Sequence, residues 1–143
     1  MSEEGSVRLI RWAPVLAAFV TTASMIFAVT TYWRGANEHR QASAIGILQD
    51  YLKFSVEHPE LASRPADAPL DAAYVWFATH TLFTVESIWI LVGEDERWDR
   101  TLELLLRPHR AYLQKGVLGC DTFDAGFFGF LKTRFPELKC AQP

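Results

Sequence analysis

Between Arg11 and Arg34 the chain runs through 22 residues, WAPVLAAFVTTASMIFAVTTYW, without one charged side chain. At ~1.5 Å rise per residue a helix of that length reaches about 33 Å, close to the ~30 Å hydrocarbon core of a bilayer. Trp12 stands at one end and Tyr32 with Trp33 at the other, where amphipathic rings prefer the lipid headgroup level. Pro14 falls in the first turn, where a missing N–H does no harm. A secretory signal peptide would carry a shorter apolar core, roughly 7–15 residues, and then a small-residue cleavage site. Aromatic residues and Arg34 follow instead. The pattern therefore predicts a retained transmembrane helix over 12–33, with residues 1–11 as a polar arm before it.

Past the span the apolar positions keep a helical period. Ala44, Ile45, Leu48, Tyr51 and Leu52 recur at that spacing, with Glu38, Arg40, Gln41, Asp50, Lys53 and Glu57 largely between them. Only Gly35 and Ala36 intervene, so one long helix is expected to continue from the span until Pro59 stops it. The segment PELASRPADAPL, 59–70, holds three prolines and reads as a linker. Asp71 as N-cap and Gly93 just past the end bound a helix over 72–92. A further helix begins near Asp95, with Trp98, Leu102, Leu105, His109 and Tyr112 on one stripe and a break at Pro108. Gly116 and Gly119 mark a loop. A last helix, from about Phe123 to Phe135, brings Phe123, Phe127, Phe128 and Phe130 to the core. No run alternates with period two. The fold class expected is all-α: a single N-terminal transmembrane helix followed by an up-and-down bundle of about four helices over 34–143.

The 72–92 helix is long and apolar enough to raise the question of a second span. His80 and Glu86 would each cost a few kcal/mol inside lipid, and Trp76 and Trp89 fall inside rather than at the rims. A helix apolar nearly all round is better explained as the central one of a bundle, covered by several neighbours. His80, Thr84 and Ser87 share one narrow polar stripe at i, i+4, i+7. Glu86 lies about 120° away round the helix and needs a separate outlet. As ligands of a metal or haem, His80 and Glu86 point apart, and the chain has no Glu-x-x-His pair, CxxCH or HExxH. Structural polar groups, with no cofactor and no metal, are the expectation.

Small residues form a second pattern within the span. Ala17, Thr21, Ser24, Ala28 and Thr31 recur every three or four residues and line one face, as helix-packing surfaces in lipid do. Cys120 and Cys140 are the only cysteines. Thirteen helical residues would carry the chain about 20 Å away, and the tail could return at most ~17 Å. A strained disulfide in an oxidising compartment and two separate thiols in the cytosol both stay open.

Composition narrows the function classes. Half the residues are hydrophobic and 13% aromatic, which excludes a disordered chain. A formal charge of −3 is too slight for a nucleic-acid binder. No GxSxG elbow, phosphate-cradling glycine loop or catalytic cysteine setting is present, so no enzyme is expected. Glu96 with Arg100 reads as an exposed helix pair. RPHR, 107–110, reads as a solvated helix end that could also meet anionic headgroups.

The succession YWRGANEHR, HPELA, FTVESIW, Trp98 and FDAGFFGFL resembles a widespread set of short, uncharacterised bacterial proteins with one membrane helix and a small helical domain. The resemblance implies architecture and a bacterial inner membrane, not an activity. In that set charge follows the span, which places the domain in the cytoplasm. Arg8 and Arg11, ahead of the span here, leave the periplasm as the alternative. The expected role is a non-enzymatic accessory or scaffold subunit whose partners are membrane lipids and other transmembrane subunits. The alternative is a membrane-tethered sensor holding a small apolar ligand or haem in the bundle.

Overall fold

The computed structural model describes the backbone of residues 3–65, 67–93, 95–116 and 118–141, and side chains from residue 15 onward. Among the described residues six α-helices follow one another: α1 Glu3–Glu57, α2 Pro59–Ala62, α3 Ala72–Val92, α4 Glu96–Leu106, α5 Arg110–Gln114 and α6 Ala125–Arg134. Single 3₁₀ turns cover Arg107–His109 and Cys120–Thr122. Among the described residues there is no β-strand, only an isolated parallel bridge between Leu118 and Cys140. The fold class is all-helical.

Two compact units emerge, Met1–His39 and Arg40–Pro143. The first unit is helical from Glu3, so residues 3–11 form the opening turns of α1. Met1 and Ser2, and the side chains of Arg8, Arg11, Trp12 and Pro14, lie outside the described residues.

In the second unit, α1 ends at Glu57 because Pro59 disfavours helical backbone at the residue before it; His58 adopts φ −129°. Helix α3 has the predicted bounds. The Asp71 carboxylate accepts the Tyr74 backbone N–H at 2.8 Å and pairs with Arg64 at 2.7 Å. The Arg64 hydrogen bond, with that N–H, holds the Asp71 carboxyl below the usual carboxylate range. Gly93, at φ 66°, takes the left-handed conformation that ends the helix.

Tyr74, Ala78, Leu82, Val85 and Ile88 of α3 are buried with Leu102 and Leu106 of α4, Tyr112 and Leu113 of α5, and Phe127 and Leu131 of α6. Pro108 cannot donate to the Leu104 carbonyl, and the chain passes there through a 3₁₀ turn into α5. The last helix is shorter than predicted. Asp124 caps it by accepting from Gly126 N at 2.8 Å and Phe127 N at 3.2 Å, so helix begins at Ala125 and Phe123 is extended, though still buried.

Candidate interaction surfaces

His80, Thr84 and Ser87 do not build one site. The His80 ring is solvent-exposed and stacks on Tyr51, 6.4 Å between centroids, beside Phe54 at 5.1 Å. With half-buried Thr84 and Asp50 it edges a shallow hollow of about 270 Å³ between α1 and α3. Ser87 turns back to the Phe83 carbonyl at 2.8 Å. Glu86, as its angle required, has a separate outlet: its Oε1 accepts the backbone N–H of Asp124 at 2.7 Å. That bond ties α3 to the capping residue of α6. Glu86→Ala is expected to lower stability by about 1 kcal/mol in denaturant unfolding of the detergent-solubilised protein, the usual worth of such a contact.

The histidine of consequence for stability is His109, 1% exposed on the core stripe predicted from Trp98 to Tyr112. Its Nδ1 shares a 3.1 Å hydrogen bond with the Tyr74 hydroxyl, while Nε2 is buried without a partner. Burial lowers its pKa to about 4. The neutral ring suits the fold, whereas the unfolded chain takes up a proton below about pH 6.5. Folding stability therefore falls as pH drops from about 6.5 towards 4, by about 3 kcal/mol in all at 1.36 kcal/mol per unit. Unfolding curves at pH 7.5 and 4.5 should show that loss in the parent chain and a smaller one in His109→Leu.

Other polar contacts on α3 are structural ties. The Tyr51 hydroxyl meets Thr81 Oγ1 at 3.2 Å and Thr79 Oγ1 meets the Tyr112 hydroxyl at 2.9 Å. A groove of about 650 Å³ runs past Trp89, Glu96, Asp99, Phe130 and Arg134. Two of its charges are engaged, since Arg134 reaches Asp99 at 3.2 Å and, outside the groove, Glu103 at 3.6 Å. The RPHR segment is likewise spent within the fold: Arg107 pairs with Glu103, Arg110 with Glu137, and His109 is buried. Arg100 donates to the Glu96 carbonyl at 3.3 Å rather than to its carboxylate. Among the described residues no three His, Cys, Asp or Glu side chains gather closely enough to hold a metal ion.

Cys120 and Cys140 form a disulfide, with Cα atoms 5.4 Å apart. The reach estimate assumed thirteen helical residues, whereas α6 has ten. The tail is led back by Lys139 N–H to the Leu113 carbonyl at 2.9 Å and Ala141 N–H to Leu118 at 2.8 Å.

Two apolar surfaces remain. Every side chain from Val15 to Trp33 is exposed, including Ala17, Thr21, Ser24, Ala28 and Thr31. Thr21 and Thr31 donate to the carbonyls of Ala17 and Phe27, both at 2.8 Å, so these hydroxyls need no water. The chain thus carries an N-terminal helix long and apolar enough to cross a membrane. The second surface lies on α3, which is not covered all round as expected. Opposite its buried face, Trp76 is 74% exposed, Phe83 45% and Ile90 58%. No protein-family model, no curated protein and no solved structure matches this chain.

Proposed function

We propose that the chain is a single-pass membrane protein whose N-terminal helix is a retained anchor. Its helical domain then serves as a non-enzymatic accessory or scaffold subunit of a larger membrane complex. The observation that carries this reading is the exposed apolar helix itself, whose threonines are satisfied by their own backbone. Lipid and the spans of other subunits are the partners such a surface suits, with Ala17, Thr21, Ser24, Ala28 and Thr31 as the face for close helix approach. The disulfide supports placing the domain on the oxidising side of a bacterial inner membrane, with Arg8 and Arg11 inside. That reverses the cytoplasmic placement drawn from the resemblance.

Affinity purification from membranes in mild detergent tests the role: partner membrane subunits should co-purify in fixed proportion. Recovery of the chain without any other subunit would refute it. The sensor reading has less support, because the core around α3 is filled by side chains and the larger hollow is an open, mixed polar groove. Visible-range absorbance of the purified protein would favour it instead.

A further inference from the structure

Two glycines of α6 face the groove beside Trp89, and they differ in what requires them. A Cβ on Gly126 would lie 2.7 Å from the Trp89 ring, so only glycine lets that indole rest on the first turn of α6. A Cβ on Gly129 would meet nothing within 4 Å, and its φ is not positive. Alanine would fit there and would favour the helix. Gly129 instead leaves one wall of the groove without a side chain. Trp89 and Phe130 supply aromatic walls, and Glu96 and Asp99, three residues apart on α4, bring two carboxylates.

The charges of the groove are not evenly matched. Arg134, lying 5.9 Å from the Phe130 centroid, is shared between Asp99 at 3.2 Å and Glu103 at 3.6 Å. Asp99 Oδ1 is buried beneath the groove with no donor. Among the described residues the exposed Glu96 carboxylate has no ionic partner, since Arg100 donates to the Glu96 carbonyl instead. Two carboxylates thus stand against one guanidinium that is already engaged, and their field favours a cation. We propose that the groove takes an arginine side chain presented by a partner polypeptide. A guanidinium pairs with a carboxylate through two N–H groups while its plane lies on an indole ring, which a lysine ammonium does not combine.

The shape argues against a free small molecule. The volume, about 650 Å³, falls in the usual range of ligand sites, but those enclose roughly 70–90% of what they hold. This groove is open, so a free ligand would stay largely in water. A side chain carried on a partner's backbone needs no such enclosure, because the surrounding interface holds it, and arginine is a common anchor of that kind. An apolar side chain would strip water from Glu96 and Asp99 and give nothing back. The inference deepens the accessory-subunit reading above and rests on it for the partner.

Trp89 itself reports on the groove. In the full-length chain, detergent-solubilised and labelled with fluorotryptophan, its fluorine resonance is identified by its loss in Trp89→Phe. The probe is acetyl-alanyl-arginyl-alanine amide, and the control is the same peptide with citrulline, the uncharged isostere of arginine. The arginine peptide should move the Trp89 resonance saturably, and the citrulline peptide much less. Glu96→Gln should weaken binding about fivefold, the upper end for an exposed ion pair. Gly129→Leu, which fills the open wall, should abolish the shift. Glu96 is exposed and a Cβ at Gly129 is unopposed, so both variants should fold; Glu96→Gln still tests the charge if Gly129→Leu does not. No shift with the arginine peptide, an equal shift with citrulline, or unchanged binding in Glu96→Gln would overturn the proposal. So would a parent chain that is dimeric in detergent and monomeric as Gly129→Leu, because a second copy would then be the occupant. From native membranes, partner subunits should co-purify with the parent chain and be lost from Gly129→Leu; undiminished recovery with that variant would also overturn the proposal. Peptide binding with no co-purifying subunit would uphold the arginine preference of the groove and refute the accessory role alone.

Discussion

Replacing Val20 and Phe27 together by lysine is expected to release the protein from membranes. Both side chains are exposed, at 62% and 72%, and both lie well inside the uncharged stretch. Each lysine near the middle of a span costs about 3 kcal/mol on insertion. Two amount to about 6 kcal/mol, or roughly a ten-thousandfold shift in partition at 1.4 kcal/mol per decade. Fractionation should move the double variant from the membrane pellet to the soluble or aggregated fraction. The same pair changed to leucine should stay in the pellet. If the lysine variant remained embedded, the helix would not be held by its apolar surface.

The second large effect concerns the disulfide. Cys120→Ser is expected to lower domain stability by about 3 kcal/mol, the loop-closure value for a crosslink of about 20 residues. The separation here is 20. For a domain of this size that is a fall of more than ~10 °C in Tm. Thermal unfolding of the detergent-solubilised protein, with and without reductant, should show the same fall in the parent chain and none in Cys120→Ser. Equal melting of all four samples would mean the thiols are not bonded. It would also remove the argument for an oxidising compartment.

Much of this architecture was legible because its signals are local. Asp71 and Gly93 bound α3 by capping and left-handed geometry, and both act on their nearest neighbours. Pro108 broke the α4–α5 run for an equally local reason, the missing N–H. The start of α6 was misplaced because Phe123 continues an aromatic pattern, while the deciding contact is the Asp124 cap. The covered side of α3 was not legible at all. Apolar residues occupy its whole circumference, so periodicity cannot choose a face. The choice is made by distant partners, such as Tyr51 for Thr81 and His109 for Tyr74.

The candidate site suffered from the same limit. His80 and Glu86 stood out as polar groups in an apolar run, yet one faces solvent and the other holds a backbone N–H. His109 lay on a stripe already assigned to the core, and only packing showed that its Nε2 is buried without a partner. The exposed side of α3 was visible only in part, through His80 and Ser87. Its large members, Trp76, Phe83 and Ile90, were absorbed into an expected core.

Alkaline carbonate extraction of membranes from cells making the full-length chain, with mass analysis of the intact product, bears most directly on the anchor. The account predicts that the protein stays in the extracted pellet and still carries residues 12–33. Recovery in the supernatant, or a mature chain beginning after Trp33, would contradict it.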